Sequence, residues 1–151
     1  MSFTSTIPYA TDALEDLFAR TFANEGVTGG AVQVSQGLPR NTERERVQVG
    51  DIDNAAQDWA AFGLNDRDER YQIDNWIIVE KLPTLRDAKD RAFTLLAVAE
   101  EALRVDDPLL LRQVYDIFEV DISGILTARG GAQEEGFGYE IQFAVRIVAA
   151  I

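Results

Sequence analysis

The sequence predicts an α+β fold, an about five-stranded and mostly antiparallel sheet with two helices packed on one face. Three observations predict it. Long segments near the middle and the end alternate apolar and polar residues at the period of a strand. Two other segments repeat apolar residues at helical spacing. The resulting order is helix, strand, strand, strand, helix, strand, strand, which suits a single layered domain of 151 residues.

The first helix is expected from Thr11 to Glu25. Thr11 can act as N-cap, and Asp12, Glu15 and Asp16 sit where the helix dipole favours anions. Leu14, Leu17, Phe18 and Phe22 form its apolar stripe, and Gly26 offers a stop. "GGAVQVSQGLPR" (29–40) reads as a short strand closed by a turn. "ERERVQVGDI" (43–52) alternates again, with Val47 and Val49 on one face, and the two read as a hairpin. Residues 51–70 are less regular and read as a connection, with one helical turn allowed. "DERYQIDNWIIVEKL" (68–82) is a long strand.

The second helix starts after Pro83, with Thr84 as N-cap and Asp87 in the first turn. Leu85, Ala88, Ala92, Leu95, Leu96, Ala99 and Leu103 make one stripe, and "DDP" at 106–108 ends it. "VYDIFEVDISGIL" (114–126) puts Val114, Phe118, Val120, Ile122 and Leu126 on one face. "YEIQFAVRIVAAI" (139–151) does the same with Tyr139, Ile141, Phe143, Val145, Ile147 and Ile151. The intervening "TARGGAQEEGFG" reads as a long, mobile hairpin tip.

Two helices cover one face of such a sheet, and Trp76 and Ile78 point to the other. Self-association is one way to cover them. The competing arrangement is a sheet that curls into a barrel-like second layer.

Composition removes several function classes. The chain has no cysteine and no histidine, so disulfides, thiolate chemistry, histidine general bases and the common zinc sites are absent. Net charge is −12, and 13 of the 26 acids lie in residues 1–75, so there is no acidic tail. Such a surface repels a phosphate backbone, which argues against ordinary nucleic-acid binding. The N-terminus has neither a basic start nor an apolar core, and the longest apolar run, residues 95–99, is too short for a bilayer. The expectation is a soluble protein made in the cytoplasm.

Two segments invite a ligand. "GGAQEEGFG" (130–138) lacks the lysine and the Ser/Thr of a phosphate loop and precedes a strand. "DIDNAAQD" (51–58) starts like a calcium loop, but Ala56 and Phe62 stand where Gly and Glu are required. No nucleophile and base can be assembled, so no catalytic, cofactor or metal residues are assigned and no enzyme is expected.

One pattern is recognisable. A "W-A-x-x-G" element, an "R-x-E", a long strand, and a helix of the "A-x-x-R-A-x-x-L-L-x-x-V/A-E-x-A-L" type resemble tail terminator proteins of long-tailed bacteriophages, particularly those of actinobacterial phages. The matching positions are Trp59, Ala60, Gly63, Arg67, Glu69, Ala88, Arg91, Ala92, Leu95, Leu96, Glu101, Ala102 and Leu103. The resemblance implies a hexameric ring on the head-proximal end of the tail tube, at the head–tail junction of the virion. There it would end tube polymerisation and bind head–tail connector proteins, with genomic DNA passing through the lumen. Ring contacts are then expected around Trp59, Phe62, Trp76 and Ile78. Lumen acids are expected among Asp51, Asp53, Asp58, Asp66, Asp68, Glu134 and Glu135. The alternatives are another neck or tube protein (a head–tail adaptor, a stopper or a tail-tube subunit) and, more remotely, a small acidic enzyme or ligand-binding domain.

Overall fold

The structure is a computed structural model that describes residues 5–23, 32–37, 44–59, 67–105, 108–109 and 116–150. The elements are α1 (Ile7–Thr21), β1 (Gln33–Gln36), β2 (Glu45–Trp59), β3 (Arg67–Leu82), α2 (Leu85–Arg104), β4 (Asp116–Ala132) and β5 (Phe137–Ala150). They form one five-stranded sheet in the order β1-β2-β3-β5-β4. Pairing is antiparallel throughout except between β1 and β2. The α+β class, the strand number and the two helices match the sequence reading. The sheet is open, with β1 and β4 as its edges, so it does not close into a barrel.

Both helices pack on one face. That face presents Val47 and Val49 from β2, Tyr71, Ile73, Ile77 and Val79 from β3, and Ile141, Phe143, Val145 and Ile147 from β5, all buried. Leu14, Leu17 and Phe18 of α1 and the predicted stripe of α2, from Ala88 to Leu103, complete this core. Phe18 of α1 meets Phe143 of β5 with ring centroids 6.3 Å apart. The three buried alanines of α2, at 88, 92 and 99, keep the side-chain layer between helix and sheet thin.

Several boundaries differ from the expectation, each for a physical reason. α1 begins at Ile7, because Pro8 suits the first helical turn and the Ser5 hydroxyl accepts from the Ile7 N–H at 3.0 Å. Thr11 is therefore internal, its hydroxyl donating to the Ile7 carbonyl at 3.0 Å. At α2 the Thr84 cap is present, accepting from the Asp87 N–H at 3.1 Å.

β1 and β2 run parallel rather than as a hairpin, with Gln33 opposite Arg46 and Gln36 opposite Val49. β2 also continues to Trp59, where a connection was expected. The register explains why its pattern is hard to read. Gly50 and Asp51 together oppose Asp74, and Asn54 and Ala55 together oppose Tyr71. Each bulge inserts one residue and switches the faces, so Ile52 joins the core side after the odd-numbered Val47 and Val49.

The largest revision is the terminal hairpin. β4 runs to Ala132 and β5 starts at Phe137, so the glycine-rich segment is mostly paired strand rather than a long mobile tip. A Cβ at Gly130 would lie 2.4 Å from the Tyr139 ring and 2.7 Å from Leu85, so this glycine permits close packing. The short turn is tied down: the Lys81 N–H donates to Gln133 Oε1 at 3.0 Å, and the Gln133 N–H to the Gly136 carbonyl at 2.8 Å. Register shifts after Ile122 and Ile125 also move Leu126 out of the expected buried face, leaving it exposed.

α1 is fastened to the sheet at its start. Glu69, buried at 1% exposure, accepts from the Thr6 N–H at 2.7 Å and from the Thr6 hydroxyl at 2.6 Å. The Thr6 hydroxyl and the Tyr71 phenol share a further hydrogen bond of 2.9 Å. Burial pushes the Tyr71 phenol well above its ordinary value; the Thr6 contact opposes the rise, and the Glu69 charge adds to it. The folded state thus holds the proton more tightly than the unfolded chain. Stability is intact below the ordinary tyrosine value near 10 and falls as pH rises past it. Tyr71→Phe should flatten that alkaline loss in thermal melts between about pH 9 and 11. An unchanged alkaline slope would contradict the assignment. Glu69→Ala should cost about 2–3 kcal/mol in denaturant unfolding at pH 7, since charged hydrogen-bond partners contribute most.

Candidate assembly surface

The face of the sheet away from the helices is the molecule's distinctive surface. Because successive residues alternate, β3 sends Gln72, Asp74, Trp76, Ile78 and Glu80 to it, β2 sends Arg46 and Gln48, and β5 sends Glu140, Gln142 and Arg146. No described element packs over this face, and Trp76 and Ile78 are each half-buried.

Lateral contacts account for that partial burial. The registers align Arg46, Ile78, Glu140 and Arg129 in one row across the sheet, and Gln48, Trp76, Gln142 and Thr127 in the next. Arg46 pairs with Glu80 at 2.7 Å, and Arg129 lies 3.7 Å from Glu140. Gln72 donates to Asp74 at 3.0 Å. The Trp76 ring lies over the bulge of β2: a Cβ at Gly50 would fall 2.0 Å from it and 2.7 Å from the Asp74 carbonyl. The ring thus covers backbone that a larger residue would have shielded. Beside it, Arg46, Ile78, Glu80, Arg129, Tyr139 and Glu140 line a groove of about 360 Å³. Its charges are mutually paired, as suits a surface that stays wet until covered.

The predicted contact residues are partly brought together. Trp76 and Ile78 are neighbours on this face. Trp59 opposes Arg67, nine positions from Trp76 along β3, or roughly 30 Å of strand. Phe62 lies outside the described residues.

The predicted acids fall into two groups. Asp51, Asp53, Asp58 and Asp68 belong to the β2–β3 ladder, Asp58 directly opposite Asp68. Asp53 and Asp58 were expected in a connection and lie in β2, whereas Asp51 and Asp68 fall in segments already read as strand, Asp51 beside the middle of β3 and Asp68 at its start. Glu134 and Glu135 sit exposed at the β4–β5 turn, beside the other end of β3, where Glu135 lies 3.9 Å from Lys81. Asp66 lies outside the described residues.

The β4 flank carries exposed apolar groups that periodicity did not identify. Phe93 of α2 is exposed and packs at a tilt of 53° against Tyr139 of β5, centroids 6.0 Å apart. Leu85, Ile125 and Leu126 are exposed as well. Leu85 was read as core from its helical spacing, but it sits in the first turn of α2, beside Gly130, where the sheet ends.

Among the described residues, no group of three or more Asp, Glu, His or Cys could hold a metal ion, and no helix is long and apolar enough to cross a membrane. No protein-family model matches the chain, and no curated protein matches it. Its fold is similar to that of a solved chain described as "Virion of native gene transfer agent (GTA) particle". The TM-score is 0.58 at 14% sequence identity, over 99% of this chain and 100% of that one.

Two substitutions separate packing from association on this face. Gly50→Ala should destabilise the fold by about 1–3 kcal/mol through overpacking against Trp76 and the Asp74 carbonyl. Trp76→Asp should leave circular dichroism native while weakening association through this face. A folded, normally associating Trp76→Asp would remove Trp76 from the contact.

Proposed function

We propose that this chain is a non-enzymatic structural protein of a phage-like virion, and that its role is tail termination. The observation that carries the reading is the end-to-end fold likeness to a chain of a gene transfer agent virion, spanning essentially all of both. The sequence resemblance to tail terminators supports it independently. Two residues of that pattern hold the fold together here: Glu69 anchors α1, and Arg91 of α2 pairs with Glu45 of β2 through Nε and, at 3.1 Å, through Nη2.

In this reading the domain forms a closed ring, six-membered in the resembling family, at the head–tail junction. It caps the tail tube on one side and meets head–tail connector proteins on the other. The net charge of −12 suits a ring whose lumen passes DNA without holding it. Repulsion from a wall acid extends about 8 Å at physiological salt. The strand acids Asp58 and Asp68 and the turn acids Glu134 and Glu135 lie beside opposite ends of β3, with Asp51 near its middle, so they would occupy different levels of such a ring.

The same fold likeness accommodates another neck or tube component, and self-assembly distinguishes them. Negative-stain microscopy of the purified protein should show discrete closed rings. When added to polymerising tail-tube protein, it should shorten the tubes. Long tubes formed by this chain alone would contradict termination and favour a tube subunit.

A further inference from the structure

Among the described residues the sheet ends at β1 and β4, and these two edge strands share a property that edges usually lack. Natural edge strands are commonly blunted by charge or proline. β1 reads Gln33, Val34, Ser35, Gln36, without a charge or a proline. On β4, the seven residues 122–128, "ISGILTA", carry neither, although Asp121 and Arg129 flank them and the chain as a whole is strongly charged. Ile125 and Leu126, within this stretch, are exposed at 48% and 44%.

The strand directions are complementary as well. β1 is parallel to β2, and the steps from β2 to β3, β5 and β4 are each antiparallel. β1 and β4 therefore run in opposite directions. A second copy placed so as to continue the sheet brings its β1 to β4 in the antiparallel sense, with all helices kept on one side. We propose that β4 of one copy pairs with β1 of the next, head to tail, around residues 122–128.

This rests on the ring reading and names its contact. Pairing β4 with β4 would leave both β1 edges open, whereas head-to-tail pairing uses both kinds of edge and is the kind of contact from which rings are built. The register shifts after Ile122 and Ile125 break β4 into short straight pieces, which suits a four-residue partner strand. Ile125 and Leu126 then lose their exposure in the assembly.

The absence of native cysteine makes the test direct. Gln36→Cys protein, at the exposed position of β1, is mixed with Leu126→Cys, Thr127→Cys or Ala128→Cys protein under mild oxidation. Thr94→Cys, on the exposed side of α2, serves as control. The expected result is a disulfide between the Gln36→Cys chain and at least one β4 variant, in several-fold excess over either homodimer and over the control. Ile125→Lys combined with Leu126→Lys should remain folded by circular dichroism and run as a 16.8 kDa monomer. Dominant β4–β4 homodimers, or normal assembly of the double lysine variant, would overturn the proposal. Rings in the microscope without the mixed disulfide would remove the edge pairing and leave the ring reading standing. Absence of both would remove both.

Discussion

A sheet has two faces, and among the described elements this chain provides helices for one. Everything else in the structure follows from that constraint. β3 occupies the centre of the sheet and serves both sides. Tyr71, Ile73, Ile77 and Val79 enter the core under α1 and α2. Trp76 and Ile78 enter a polar face that, among the described residues, side chains of the same sheet shelter. Neither helix is placed to bury that face further, because α1 is pinned by Glu69 and α2 by the Arg91–Glu45 pair on the opposite side.

The open face is arranged to tolerate water until then. Its cations are matched by neighbouring acids, as in Arg46–Glu80 and Arg129–Glu140, and its aromatic residue packs against the Gly50 bulge. The bulges in β2 and β4 twist and bend those strands, which limits indiscriminate edge pairing while leaving a short uncharged stretch on β4. A surface of this kind is stable alone and remains available for ordered association.

The sequence was most legible where one periodicity ran uninterrupted. α2 shows this best: its stripe from Ala88 to Leu103 follows from 3.6-residue spacing, and its cap from the threonine after Pro83. β3 and β5 were equally clear from their alternation. The reading failed where an inserted residue broke the period. Gly50–Asp51 and Asn54–Ala55 disguised half of β2 as a connection, and the shifts in β4 misplaced Leu126. Gly130 suggested mobility because spacing does not reveal the approach of Tyr139 and Leu85. For the site, the pairing of Trp76 with Ile78 was visible in the alternation. The exposed flank of Phe93, Ile125 and Leu126 was not, because exposure at a sheet edge depends on strand order. Most described residues of the tail-terminator pattern, including Glu69, Ala88, Arg91, Ala92 and Leu95, fasten or fill the fold, so that pattern speaks for architecture before it speaks for contacts.

The central claim is that this domain completes itself by closed self-association. Native mass spectrometry of the full chain across a range of concentrations tests it most directly. The account predicts one dominant complex whose mass is a fixed multiple of 16.8 kDa, unchanged as concentration rises. A monomer at every concentration, or an open-ended series of growing species, would contradict it.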